Sequence, residues 1–131
     1  MRLTSATAIF IDASCLITAA NSPTAGSGFW LSVGRRGFFR ALVSISVFTE
    51  AQRKVQSKLP AALDRLHALI AETPLEIVAT PPDRLIQAYA AAFADDAHVV
   101  AAAVESHAKH LITLDRALEA KVNAADFPLT A

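Results

Sequence analysis

One cysteine among 131 residues cannot close an internal disulfide, so Cys15, placed just after a short apolar run, reads as a small core residue in a reducing compartment. Glycine is scarce, at four residues, and no glycine-rich loop of the phosphate-cradling kind is present. Paired cysteines for zinc and a nucleophile elbow are missing as well. No apolar run approaches the roughly 18 residues of a membrane-spanning helix. The opening "MRLTSATAIFIDAS" ends its apolar run in an acid, unlike a secretory signal, so a cytoplasmic location with no membrane partner is expected. Neither sign of charge is in excess. Twelve Lys and Arg balance twelve Asp and Glu, which excludes a protein that coats nucleic acid by bulk charge.

What is present is an apolar, patterned chain. Hydrophobic residues make up 53% and charged residues 18%, too apolar for disorder and enough for a sizeable core. No linker divides it, so residues 1–131 are expected to form one domain. "AIFI" (8–11) predicts a strand buried on both faces, followed by a helix over "DASCLITAA". Turn chemistry places a loop over residues 21–28, with a short helix over "FWLSVGRR" stopped by Gly37. "FRALVS" predicts a second strand, with Ser44 or Ser46 as the cap of a helix over residues 47–58. Pro60 opens a further helix, and "LEIVA" (75–79) is a third strand between prolines. Residues 83–92 and 96–107 read as helices, "HLITL" (110–114) as a fourth strand, then a helix to about residue 122. "FPLTA" could add a short edge strand. Strands alternating with helices predict an α/β fold: three layers, α/β/α, around a mostly parallel, Rossmann-like central sheet.

In such folds ligands lie beyond the carboxyl ends of the strands, near the switch in strand order. Asp12 and Asp115 each end a strand, Asp96 begins a helix descending from the same edge, and Glu50 lies one turn into the helix after the second strand. Each alone could be a helix cap or a dipole partner. Together, four carboxylates at one edge repel unless a cation lies between them. An all-oxygen set of this kind suits Mg²⁺ or Mn²⁺ better than zinc. In "FADDAHVVAAAV" two acids are adjacent, and which of them faces the metal is open. Asp96 shares a helical stripe with Val99, Val100 and Ala103, which favours it, and leaves Asp95 as the cap. Ser14 could orient Asp12 or a bound water. Arg53, Lys54, His98 and Arg116 are candidate contacts to phosphate. Between Arg35 and Lys58 six of the twelve basic residues meet one acid, Glu50, which predicts either a solvated face or a basic rim. His67, His107 and His110 read as surface or boundary residues. Phe29, Trp30, Phe38 and Phe39 read as core, or as an exposed patch for a partner helix or a dimer.

The segments "IFIDASCLITAA", "LVSISVFTEAQRKV" and "DDAHVVAAAVESHAKHLITLDR" resemble, in order and over nearly the whole chain, the PIN-domain family of metal-dependent ribonucleases. The resemblance implies a parallel sheet between helices and an active site at Asp12, Glu50, Asp96 and Asp115. It further implies cleavage of single-stranded RNA by metal-activated water. Small PIN proteins of this length resemble the toxin half of toxin–antitoxin pairs, so the implied partners are an RNA substrate, a small antitoxin protein and a second copy in a homodimer. The chain departs from the best-known toxins in carrying Ala117 where a further acid often stands. Two alternatives remain. One is a non-catalytic PIN-like module that binds RNA or protein. The other is a phosphoryl-transfer domain, disfavoured because Ile11 and Ser14 stand where a receiver or a haloacid-dehalogenase-type phosphatase would need acids.

Overall fold

The computed structural model describes residues 4–22, 36–125 and 129–131. Its centre is β1 (Ala8–Ile11), all four residues of which are buried. β2 (Arg40–Ser44) and β4 (His110–Ile112) flank β1, and β3 (Glu76–Val78) lies outside β2, giving the order β3-β2-β1-β4. Every pairing is parallel, with Phe10 opposite Leu42 on one side and Leu111 on the other. Unbroken apolar runs are what strands covered on both faces require.

Two groups of helices supply that cover. α1 (Ala13–Asn21) packs with α2 (Ile45–Lys58) and α3 (Leu63–Glu72). α4 (Asp83–Phe93) packs with α5 (Ala97–Glu105) and α6 (Arg116–Ala124). The chain winds β1 to β2 to β3 in one direction and then returns across the sheet to place β4 on the far side of β1. The reversal leaves a crevice beyond the carboxyl ends of β1 and β4. The architecture is the α/β/α sandwich expected, with a wholly parallel sheet among the described residues. No helix among them is long and apolar enough to cross a membrane.

Local signals fix most element ends. The Ser44 hydroxyl accepts the Val47 amide at 3.1 Å, so Ser44 rather than Ser46 caps α2. Ser46 instead bonds the Thr80 hydroxyl at 2.7 Å. Pro60 begins a 3-10 turn (Pro60–Ala62) that leads into α3. The loop and helix expected over residues 21–36 lie almost wholly outside the described residues, as do Phe29, Trp30 and Arg35. Of the aromatic cluster, Phe39 is in the core and Phe38 is 57% exposed. The expected edge strand at the end of the chain survives as one bridge, Thr130 beside His110.

α5 ends two residues earlier than its apolar pattern predicts. His107 adopts φ 60, its amide reaches the Val104 carbonyl, and the Ala108 amide reaches back to Ala103 at 3.0 Å. That is a Schellman cap with histidine where glycine is the easier fit. His107→Gly is therefore expected to stabilise the fold by about 0.5–1 kcal/mol, read as a higher denaturation midpoint.

Candidate active site

The crevice at the β1/β4 switch is lined by Asp12, Ser14, Glu50, Lys54, Asp96 and Asp115, with Ala13, Ile17, Thr18 and Leu114 completing a volume of about 350 Å³. The four acids come from four different places in the chain. The fold brings them together because each stands at the carboxyl edge of the sheet.

Asp12, 7% exposed, is held hardest. Its Oδ1 accepts the Ala13 amide at 2.8 Å, capping α1. Its Oδ2 accepts the Ser14 hydroxyl at 3.1 Å and the Thr113 hydroxyl at 2.7 Å. Each hydroxyl is in turn aimed by a backbone amide: Leu114 N–H donates to Ser14 Oγ and Asp115 N–H to Thr113 Oγ1, both at 3.1 Å. The end of β4 thus clamps the carboxylate at the end of β1. Thr113 was not among the residues singled out from the sequence. The available signal was a hydroxyl side chain two residues before an acid at a strand end.

Asp115 caps α6, its Oδ1 accepting the Ala117 and Leu118 amides at 2.9 and 3.1 Å. Ala117 contributes its backbone amide to this cap. Glu50 is partly buried and pairs with Lys54 at 3.1 Å, one helical turn on. Such a pair near the surface is worth at most about 1 kcal/mol.

Asp96 is the perturbed member. Burial raises its pKa above the ordinary aspartate range, and the charges of Asp12, Asp115 and Glu50 raise it further, while nearby His98 lowers it. The expectation for its neighbour needs correction. Asp95 does not cap α5: it lies exposed in a 3-10 turn (Ala94–Asp96), and Asp96 holds the N-cap position with no side-chain capping bond. The cause is Ala94, whose φ of 48 reverses the chain, so that the Ala97 amide is satisfied by the Ala94 carbonyl. With that amide already bonded, Asp96 stays free to face the acids.

The basic residues divide. Arg40, at the amino end of β2, forms a two-pronged pair with Glu76 across the sheet at 2.7 and 2.8 Å, on the edge opposite the acids. Of the basic run, Arg40 therefore lies away from the acids. Lys54 lines the acid crevice, whereas Arg53 and His98 line a neighbouring one and Arg116 lines neither. Cys15 is buried, its thiol donating to the Ile112 carbonyl at 3.4 Å. His67 and His107 are exposed, as expected.

An oxygen-only donor set in which one carboxylate is strained by three others has the chemistry to hold a hard divalent cation. Among the described residues, no three Asp, Glu, His or Cys side chains close tightly enough around one point to hold an ion as they stand. The acids share a field and a crevice rather than a finished cage.

Residues 8–117 match the PIN domain family, and the chain belongs to it. No curated protein matches the chain in sequence. Among solved structures it is similar to PAE2754 from Pyrobaculum aerophilum, at 20% identity and TM-score 0.67 over 92% of this chain and 88% of that one. VapBC2 from Rickettsia felis, solved bound to a DNA fragment from its promoter, gives 16% identity and TM-score 0.68 over 94% and 97%. Mycobacterium tuberculosis VapC20, described as a sarcin–ricin loop cleaving toxin, gives 17% and 0.59 over 82% and 89%. At these identities the likeness establishes the fold.

Proposed function

We propose that this chain is a divalent-metal-dependent endoribonuclease that cuts single-stranded RNA and serves as a toxin restrained by a small antitoxin protein. The observation that carries this reading is the meeting of Asp12, Glu50, Asp96 and Asp115 in one crevice at the strand switch, with Asp96 bearing the repulsion of the other three. These four carboxylates would hold Mg²⁺ or Mn²⁺. A bound ion of this type neutralises phosphodiester charge and lowers the pKa of an attacking water. Asp12 is the fixed anchor, because Ser14 and Thr113 leave its carboxylate one orientation. Lys54, paired with Glu50, stands where it can meet a backbone phosphate. Asp95 is outside the crevice and is left out of the ligand set.

The toxin role and the antitoxin are carried by analogy with VapBC2 and VapC20, both similar in fold, while the homodimer and the cytoplasmic setting rest on the sequence resemblance alone. A second reading, a non-catalytic PIN module that binds RNA or protein, draws on the loose spacing of the acids. One assay separates the two. Purified protein with labelled single-stranded RNA is expected to cleave it with Mg²⁺ or Mn²⁺, to stop on chelation and to resume when the ion is restored. RNA that stays intact under every ion would establish the module.

A further inference from the structure

A second crevice of about 360 Å³ adjoins the first, with Glu50 as a wall of both. Its other lining residues are Ile45, Ser46, Thr49, Arg53 and His98, so its chemistry differs sharply from that of the acid crevice. We propose that it is a subsite for the nucleotide of single-stranded RNA that flanks the scissile phosphate, an inference resting on the ribonuclease reading above.

Three features point to a nucleotide. The first is an aliphatic platform: Ile45 is 55% exposed although it opens a helix at the carboxyl edge of the sheet. Unpaired bases are held against apolar or aromatic surface, with polar groups reading their edges. Thr49 lines the crevice beside this platform, as does Ser46, whose hydroxyl is already bonded to Thr80. The second is an available cation. Lys54 is engaged by Glu50 and Arg40 by Glu76, but Arg53 has no ion-pair partner among the described residues. The α2 amino terminus is not the anion holder, because the Val47 amide goes to Ser44 and the Ser46 amide to Thr80. Phosphate would therefore fall to the Arg53 side chain. The third is His98, whose Nδ1 is shielded from solvent and finds no hydrogen-bond partner among the described residues. A buried nitrogen left unpaired destabilises the fold, and a ligand that supplies its partner removes that deficit. The size fits too, since small-ligand pockets span about 300–1,000 Å³.

The test is binding, followed by fluorescence anisotropy with labelled RNA octamers on the full chain carrying Asp96→Asn, so that cleavage does not intrude. Arg53→Gln is expected to weaken binding about fivefold at about 0.1 M salt and to flatten the slope of log Kd against log salt by about 0.7, the loss of one phosphate contact to a single strand. Ile45→Ser should change the order of preference among the four homopolymer octamers and leave that slope alone. In protein labelled with ¹⁵N-histidine, RNA should move the His98 Nδ1 resonance and leave that of His67 in place. Lys121→Gln, on exposed α6, should match the parent throughout. An unchanged slope in Arg53→Gln, an unmoved His98 resonance or a parent that binds no RNA would each overturn the subsite. RNA binding with these signatures, in a wild-type protein that cuts nothing with Mg²⁺ or Mn²⁺, would retain the subsite and remove the ribonuclease reading.

Discussion

Asp96→Asn is expected to lower RNA cleavage by about 100-fold or more while leaving the metal-free protein slightly more stable than wild type. The two effects share one cause. Asp96 is partly buried and feels the charges of Asp12, Asp115 and Glu50, which raise its pKa. A carboxyl whose folded pKa is raised gives its full stability below the unfolded value, about 3.9, and loses it as pH climbs through the folded value. At neutral pH the ionised side chain is therefore a net burden, and asparagine removes it. The gain is below about 1 kcal/mol once solvent screening is allowed for, is largest above the folded pKa and vanishes in acid. Thermal melts at several pH values with chelator present would measure it. Added Mg²⁺ or Mn²⁺ should stabilise the wild type by up to about 2.7 kcal/mol at a hundred times Kd, and Asp96→Asn much less. Asp12→Ala should behave differently. It loses cleavage and also about 1–3 kcal/mol of stability, because the Ala13 amide and the Ser14 and Thr113 hydroxyls lose their acceptor. Cleavage that survives both substitutions would remove these acids from the chemistry.

Phe10→Ala is expected to destabilise the fold by about 3–5 kcal/mol, a large share of the roughly 5–15 kcal/mol that holds a domain together. Phe10 is fully buried, lies at the middle of the sheet and stands opposite Leu42 and Leu111 on its two neighbours. Truncating it leaves a cavity where three strands meet, and the surrounding backbone is too well paired to collapse into it. Ile77→Ala on edge strand β3 is the matched contrast. That side chain is 55% exposed, so its loss should cost less than about 1 kcal/mol. Chemical denaturation of both variants would measure the difference, and equal losses would contradict the burial order from centre to edge.

Much of the fold was legible because the signals that specify its elements are local. "AIFI" has no polar face, so it reads as a strand covered on both sides, and β1 is buried throughout. Ser44 and Asp115 stand one residue before helices and accept amides from their first turns. The three segments that resemble the PIN family run from residue 9 to residue 116, close to the ends of the matched span. Asp12, Glu50, Asp96 and Asp115 could be gathered as candidates from the order of strands and acids alone.

Other features depended on residues far apart in sequence. Thr113 reaches Asp12 only because the chain crosses back over the sheet to set β4 beside β1, and strand order is a matter of long-range packing that no local pattern encodes. Helical phase favoured Asp96, which lines the crevice, but the cap expected of Asp95 failed at a backbone reversal beside it, since alanine at position 94 gives no warning of a positive φ. The basic residues between Arg35 and Lys58 form one group in sequence, yet Arg40 lies at the amino edge beside Glu76 while Arg53 and Lys54 line crevices on either side of Glu50. By itself the sequence determined most of the elements and the family, since these follow from composition and near neighbours. The tertiary structure alone decided what clamps Asp12 and where the second crevice opens, because those depend on distances across the sheet.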